Sequence, residues 1–362
     1  MVMFYALHVV SVLYSSNLQY AFFDLQVKLP FLILPFVLSS VTLREDELRK
    51  VKQAFIYGCA FASLYCIMYA FDKFVETSDA SVFFYETFSK FLHPTYFAIL
   101  LNLAILIAFD EWLKNKNMKR SVKRLLAVSL PLNLVAVVLL MSRTALVVFV
   151  LTAVIMVVIL LKQKITVAKL KWIVGGAVLF IAVIAFSMNK FNRFAVVEST
   201  VSSLAGGGSY ADDKKGANGF LTRIYIWKEA IKLICEHPVV GVGCGDIKDE
   251  LVKQYVKDDY ALGVERRFNP HSQYLHTTVS LGIIGLLSLC AMLFLPLFYS
   301  IKHRDWVYVI FLLVIILNSL TESILERQAG ILFFVFFNCL FYLQLKQSSE
   351  KPAQKQETQA LA

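Results

Sequence analysis

The chain has 362 residues, 58% of them apolar and only 17% charged, where soluble globular domains carry roughly 25% charged residues. Mean hydropathy is +0.65, and the apolar residues come in long runs that a soluble fold could not bury. The net charge of +10 does not indicate nucleic acid, because the basic residues lie in short blocks between apolar runs rather than on one face. The expectation is an all-α, polytopic helical membrane protein.

A hydrocarbon core of ~30 Å needs about 20 mostly apolar helical residues. By that criterion ten spans are expected, at 1–16, 29–43, 54–71, 94–112, 125–141, 144–161, 172–187, 272–301, 306–320 and 329–345. Pro30 and Pro35 predict a kinked or half-spanning second segment. The eighth is long enough to tilt or to project from the bilayer. This divides the chain into seven N-terminal spans (1–187), a large loop (188–270), three C-terminal spans (271–345) and a polar tail (346–362), expected to be disordered. No cleavable signal peptide is expected, since no basic n-region or small-residue cleavage site begins the chain. There is no internal repeat or heptad pattern.

Lys and Arg set the orientation. With both termini cytoplasmic, the inside segments 44–53, 114–124, 162–171, 302–305 and the tail hold 19 basic residues. The short outside segments hold 5, namely Lys28, Lys73, Lys90, Arg143 and Arg327. Long loops vote poorly and are left out. This asymmetry predicts that 188–270 is extracytoplasmic. Cys235 and Cys244 share that loop, where a disulfide is permitted, but a spacing of nine residues implies no pairing geometry. Two unpaired thiols are expected.

The loop opens with a flexible stretch around Gly206, Gly207, Gly208 and Ser209. A helical segment follows from Thr222, a candidate N-cap, and ends before Pro238. The run Gly241 to Gly245 lacks both a preceding strand and a following GK[ST], so it reads as a turn between helices rather than a phosphate loop. A second amphipathic helix is expected across 246–261. The loop closes on Arg266, Arg267, Phe268, Asn269, Pro270 and His271 at the mouth of a span.

Several of these residues carry chemistry, each beside a blander account. Arg143 sits between two apolar runs, where an arginine is costly unless it meets water or an anion, although it can also snorkel. Arg223 and Trp227 lie one helical turn apart on one face; Trp227 suits an interfacial anchor as well as a sugar platform. A lone histidine near a membrane end, such as His271, is ordinarily structural. His276, five residues on, is about 140° around a helix from it, poor spacing for a metal pair. No DxD motif or Cys/His cluster occurs, so no metal and no cofactor is expected. Glu322 and Glu326 share the ambiguity of Arg143.

Three islands in order resemble the O-antigen ligase and polymerase superfamily of bacterial envelope enzymes, over about residues 94–345. The first is Ser142-Arg143 opening a span. The second is Arg223 and Trp227 followed by Pro238 to Gly243. The third is Asn269-Pro270-His271 leading to Leu281 through Gly285. Members usually have more spans than the ten counted here. The resemblance implies a glycosyltransferase of the bacterial inner membrane. It would move a glycan from undecaprenyl pyrophosphate to a hydroxyl of lipid A-core or a similar acceptor, on the periplasmic face, by a metal-independent inverting route. It implies His271 as the base and Arg143 and Arg223 as pyrophosphate ligands, with Trp227, Arg266 and Arg267 as accessory residues; a solvated basic pair is the blander account of the last two.

Three other readings stay open. A repeat-unit polymerase for O-antigen, capsule or exopolysaccharide would use the same donor but a carrier-linked acceptor. A membrane transporter would need broken helices meeting at mid-membrane, often in repeated halves. A non-catalytic envelope-assembly protein would tolerate loss of Arg143 and His271.

Overall fold

The structure, a computed structural model, describes residues 1–115, 118–140, 146, 150, 153, 154 and 219–360. The expected spans 144–161 and 172–187, the stretch at Gly206–Ser209 and Arg143 lie outside the described residues. Every regular element among the described residues is helical. In chain order they are α1 (Val2–Ser11), α2 (Leu18–Lys28), α3 (Pro30–Ser39), α4 (Glu45–Thr77), α5 (Tyr85–Phe88), α6 (Pro94–Lys114), α7 (Arg120–Leu139), α8 (Gly219–Glu236), α9 (Ile247–Lys257), α10 (Ala261–Arg266), α11 (Gln273–Lys302), α12 (Trp306–Asn318) and α13 (Gln328–Ala360).

Six helical segments among the described residues are long and apolar enough to cross a membrane, so the count of ten is not reached there. Val2–Tyr14 and Trp306–Asn318 are apolar but short. The second expected span is also redrawn. Leu29 keeps helical angles between α2 and α3, so the apolar segment runs from Leu18 to Ser39 rather than from residue 29. Pro30 fits this continuity because it occupies the first turn of α3, where its missing N–H costs little. At the other end α13 continues to Ala360, through the tail expected to be disordered; its Gln, Lys, Glu and Ala residues have high helix propensity.

The chain forms two compact units. One comprises Thr42–Ser187 and Asp305–Val314. Here α4 starts on a capping box in which Arg44 N–H donates to Glu47, and α4, α6 and α7 pack together. Small residues such as Ala70, Ala98, Ala104 and Ala136 fill that contact and let the helix backbones approach closely. Ser63 Oγ donates to Asn133 Oδ1 at 3.1 Å across it.

The other unit comprises Met1–Val41, Met188–Arg304 and Ile315–Ala362. In it α1 and α8 pack on α11, and α3 packs on α13. The described part of the large loop has its own core. Leu221, Tyr225, Ile226, Ala230 and Leu233 of α8 face Ile247, Leu251 and Tyr255 of α9, with Tyr260 and Val279. These positions recur at helical spacing on each element, the amphipathic pattern that buries one face.

The expected eighth span is broken, not continuous. Gly282 has φ 62° and ψ −160° inside α11, a conformation open essentially to glycine. A break within apolar surroundings frees backbone groups that must find partners, and the turn after α8 supplies them. Val242 N–H donates to Val279 O and Gly243 N–H to Ser280 O, both at 2.9 Å, while Ile283 N–H donates to Pro238 O at 2.9 Å. The approach is backbone on backbone. A Cβ at Gly241 would lie 2.5 Å from Ser280 O, and one at Gly282 would overlap the Val239 peptide. The Gly241–Gly245 run is therefore a turn between α8 and α9, docked on the broken helix.

Gly282→Ala should lower stability by about 3 kcal/mol or more, because positive φ and steric overlap act together. Gly58 in α4 has open space around its would-be Cβ, so Gly58→Ala should be neutral or gain up to ~1 kcal/mol. Thermal unfolding of both variants in detergent checks this; equal effects would contradict the account of the break.

Candidate functional site

Asn269, Pro270 and His271 form a constrained turn at the entrance to α11. Asn269 Oδ1 accepts from His271 N–H at 3.0 Å, and the Ser272 side chain caps the helix. Trp227 Nε1 donates to Pro270 O at 2.9 Å, tying α8 to the turn. The indole thus has a defined partner and acts as a strut. His271 itself has φ 44°, a left-handed conformation uncommon outside glycine and held here by these bonds.

The helix carrying Trp227 begins by Gly219, so Thr222 lies within it and is not its N-cap. It ends at Glu236, before Pro238, as the sequence predicts. One turn N-terminal to Trp227, Arg223 reaches a residue 99 positions away. Its Nη2 donates to Glu322 Oε1 at 2.5 Å. The other oxygen of the same carboxylate, Oε2, is 3.6 Å from His271 Nδ1. Glu322 therefore joins Arg223 and His271, the two site residues that the sequence placed in separate islands. The Glu322 side chain is 14% exposed, Arg223 27% and His271 34%, so the carboxylate is sheltered while the cation and the ring reach solvent.

Four residues further along the connection, Glu326 anchors a deeper layer. Its Oε2 accepts from Lys28 Nζ at 2.5 Å and lies 3.1 Å from His276 Nε2, and its Oε1 accepts from Gln273 Nε2 at 2.7 Å. Lys28 also pairs with Asp24. Gln273 Oε1 accepts from Leu325 N–H at 2.8 Å, and Gln273 N–H donates to Ser319 O at 2.8 Å, which fixes the segment between α12 and α13. Burial alone would raise the Glu326 carboxyl, but His276 and Lys28 beside it hold it well below the ordinary carboxylate range. His276 is thus a partner of Glu326 and not of His271.

Arg266 and Arg267 face elsewhere. They line a separate cavity with Asn17, Tyr20, Gly245, Lys248 and Asp249. Cys235 is exposed and Cys244 buried, and neither is bonded. Among the described residues no three His, Cys, Asp or Glu side chains converge as metal ligands would. Sequence reasoning missed Gln273 and the burial of Lys28, and left Glu322 and Glu326 undecided. The only signal was a pair of carboxylates at i and i+4 beside an apolar turn.

Glu322→Gln should cost about 1.5–3 kcal/mol, the range for a hydrogen bond to a charged group, because it removes the carboxylate from a sheltered pair. Glu250 pairs with Lys253, whose side chain is 71% exposed, so Glu250→Gln should cost less than about 1 kcal/mol. Equal thermal midpoints for the two variants would contradict the sheltered role of Glu322.

Residues 126–290 match the family described as O-antigen ligase, a span that includes Arg223, Trp227, the Gly241–Gly245 turn, His271 and the break at Gly282. An uncharacterized protein of Haemophilus influenzae (strain ATCC 51907 / DSM 11121 / KW20 / Rd) is 30% identical over 98 residues, covering 27% of this chain. The chain matches about a quarter, 24%, of the length of that relative. With the apolar helices, the family match supports a membrane protein of the O-antigen ligase superfamily.

Proposed function

We propose that the protein is a membrane glycosyltransferase that moves a glycan from undecaprenyl pyrophosphate to a hydroxyl of a lipid A-core acceptor. The observation that carries this reading is the convergence of Arg223 and His271 on Glu322, within a segment that matches the O-antigen ligase family. The orientation inferred from the basic residues supports a site on the periplasmic face of the inner membrane, with both termini cytoplasmic. The loop ahead of α11 and the turn holding Glu322 and Glu326 belong to segments assigned outside by that asymmetry, and both lie in one unit.

This reading assigns the chemistry to His271, Arg223 and Arg143. Glu322 lies 3.6 Å away on the Nδ1 side of the His271 ring, which in this reading leaves Nε2 for the acceptor hydroxyl. A neutral imidazole accepts the hydroxyl proton as the oxygen attacks the anomeric carbon. The bond from that carbon to the phosphate oxygen breaks on the opposite face, which inverts the centre, and pyrophosphate leaves with the electron pair. The growing negative charge needs fixed donors in a water-poor setting. A guanidinium offers five N–H donors in a planar fork; among the described residues Arg223 spends one on Glu322, and Arg143 is the second cation this reading assigns. In this account no metal takes part.

A ligase needs cations for one pyrophosphate and a polymerase for two, since its acceptor is also carrier-linked. Arg143 and Arg223 suffice for one, which favours the ligase.

His271→Ala should reduce transfer by about 100- to 10,000-fold, the worth of a general base, while the protein still accumulates. Arg223→Lys keeps the charge but loses the fork and should also impair transfer. An active His271→Ala enzyme would refute the assignment of the base. Deleting the gene should leave lipid A-core bare while full-length polymer collects on the carrier; a core bearing one repeat unit and no long chains would identify a polymerase.

A further inference from the structure

The cavity lined by Arg266 and Arg267 has a volume of about 460 Å³ and draws on four parts of the chain: Asn17 and Tyr20 at the start of α2, the turn at Gly245, Lys248 and Asp249 on α9, and the end of α10. Its shape is set by bonds that bypass Arg223 and His271. Asp246 accepts from Ser16 N–H and Asn17 N–H at 2.6 and 2.7 Å, pinning α2 to the head of α9. Asp249 accepts from Asn17 Nδ2 at 3.0 Å and from Arg267 Nη2 at 2.7 Å. The one lining carboxylate is therefore already paired, and it props Arg267 at the wall.

The lining holds three cations, Lys248, Arg266 and Arg267, against one carboxylate, Asp249. Lys248 Nζ lies 4.7 Å over the Tyr20 ring, which holds the ammonium without neutralising it. Arg266 pairs at 3.9 Å with its exposed neighbour Glu265, which does not line the cavity, and an exposed pair of this kind is weak. Positive charge concentrated in a concavity selects an anion, and planar guanidinium groups suit phosphate. The depression is half open and roomier than a lone phosphate needs, so it admits a larger anion. A sugar carrying a phosphate fits both the charge and the space.

Position relates the cavity to the candidate site. Arg267 is four residues from His271, so the two backbones are at most about 14 Å apart. A glycan anchored by one phosphorylated sugar in the cavity can extend toward the ring that takes its hydroxyl proton. Arg223, assigned to the donor, stands on α8, which contributes nothing to the cavity lining. We propose that this cavity is an acceptor subsite that holds a phosphorylated sugar of the glycan to be extended. The assignment to the acceptor rests on the transferase reading; anion binding by the cavity does not.

The test uses the full-length protein in detergent, with glucose 6-phosphate as the probe in isothermal titration. The parent and His271→Ala proteins should bind it alike, and each should bind glucose or inorganic phosphate more weakly. The Lys248→Gln/Arg266→Gln double variant removes two of the three lining cations without touching the left-handed Arg267, and its affinity should fall about tenfold or more. Arg266→Lys, which keeps the charge, should recover part of the affinity lost in Arg266→Gln. No binding by the parent, or parent-like binding by the double variant, overturns the site. In transfer assays the double variant should raise KM for the acceptor and leave KM for the donor unchanged. A rise for the donor alone would move the cavity to the donor and overturn the acceptor assignment. Absence of transfer by the parent would refute the transferase reading, while the titration still decides anion binding.

Discussion

A lysine almost wholly removed from solvent governs the geometry of this unit. The Lys28 side chain is 1% exposed, and a buried ammonium is tolerable only with close, well-bonded partners. Asp24 one turn away and Glu326 nearly 300 residues away supply them. Glu326 in turn holds Gln273 and His276 of α11. The pairing therefore joins α2, α11 and the turn before α13 into one polar knot in an otherwise apolar setting. Such knots add little net stability over apolar packing, yet breaking one partner is costly. Their effect here is to specify position. Glu322 lies four residues before Glu326 in the same connection between α12 and α13, so fixing Glu326 and Leu325 restrains the segment that carries it.

The broken helix adds a second constraint of the same kind. At Gly282 the chain gives up helical hydrogen bonds inside an apolar segment, and the turn at 238–243 restores them. This docks the described part of the large loop onto α11 through backbone bonds, which depend on glycine at the contact and little on other side chains. Broken helices are also a transporter feature. In this unit the freed groups are closed by the protein's own turn, and the polar side chains gather at the helix entrance, which fits a fixed site better than a gated path.

Much of the fold was legible from composition and period. The helical class, most helix positions and the stop at Pro238 follow from apolar runs and proline chemistry. The Gly241–Gly245 turn was recognised, but its partner was not, because Leu281 to Gly285 reads as unbroken apolar helix until a backbone dihedral is known. The site was legible in part. Arg223 and His271 stood out by residue type and order, whereas Glu322, which joins them, offered only a carboxylate at a membrane edge. Lys28 counted as one more topological charge, since no local pattern reveals a partner almost 300 residues away. Arg266 and Arg267 read as a solvated pair because the wall opposite them comes from the N-terminal helices and α9.

The central claim is that the ionic knot around Lys28 positions the candidate site, and a double-mutant cycle between Lys28→Met and Glu326→Gln tests it most directly. Lys28→Met leaves Asp24 and Glu326 without their shared ammonium and should cost about 3–5 kcal/mol, whereas Glu326→Gln leaves Lys28 its Asp24 partner and should cost less. The double change should cost less than their sum by roughly 1–3 kcal/mol, and it should restore part of the transfer lost in the singles. Strictly additive costs, or single variants with parent-like stability and transfer, would contradict the account.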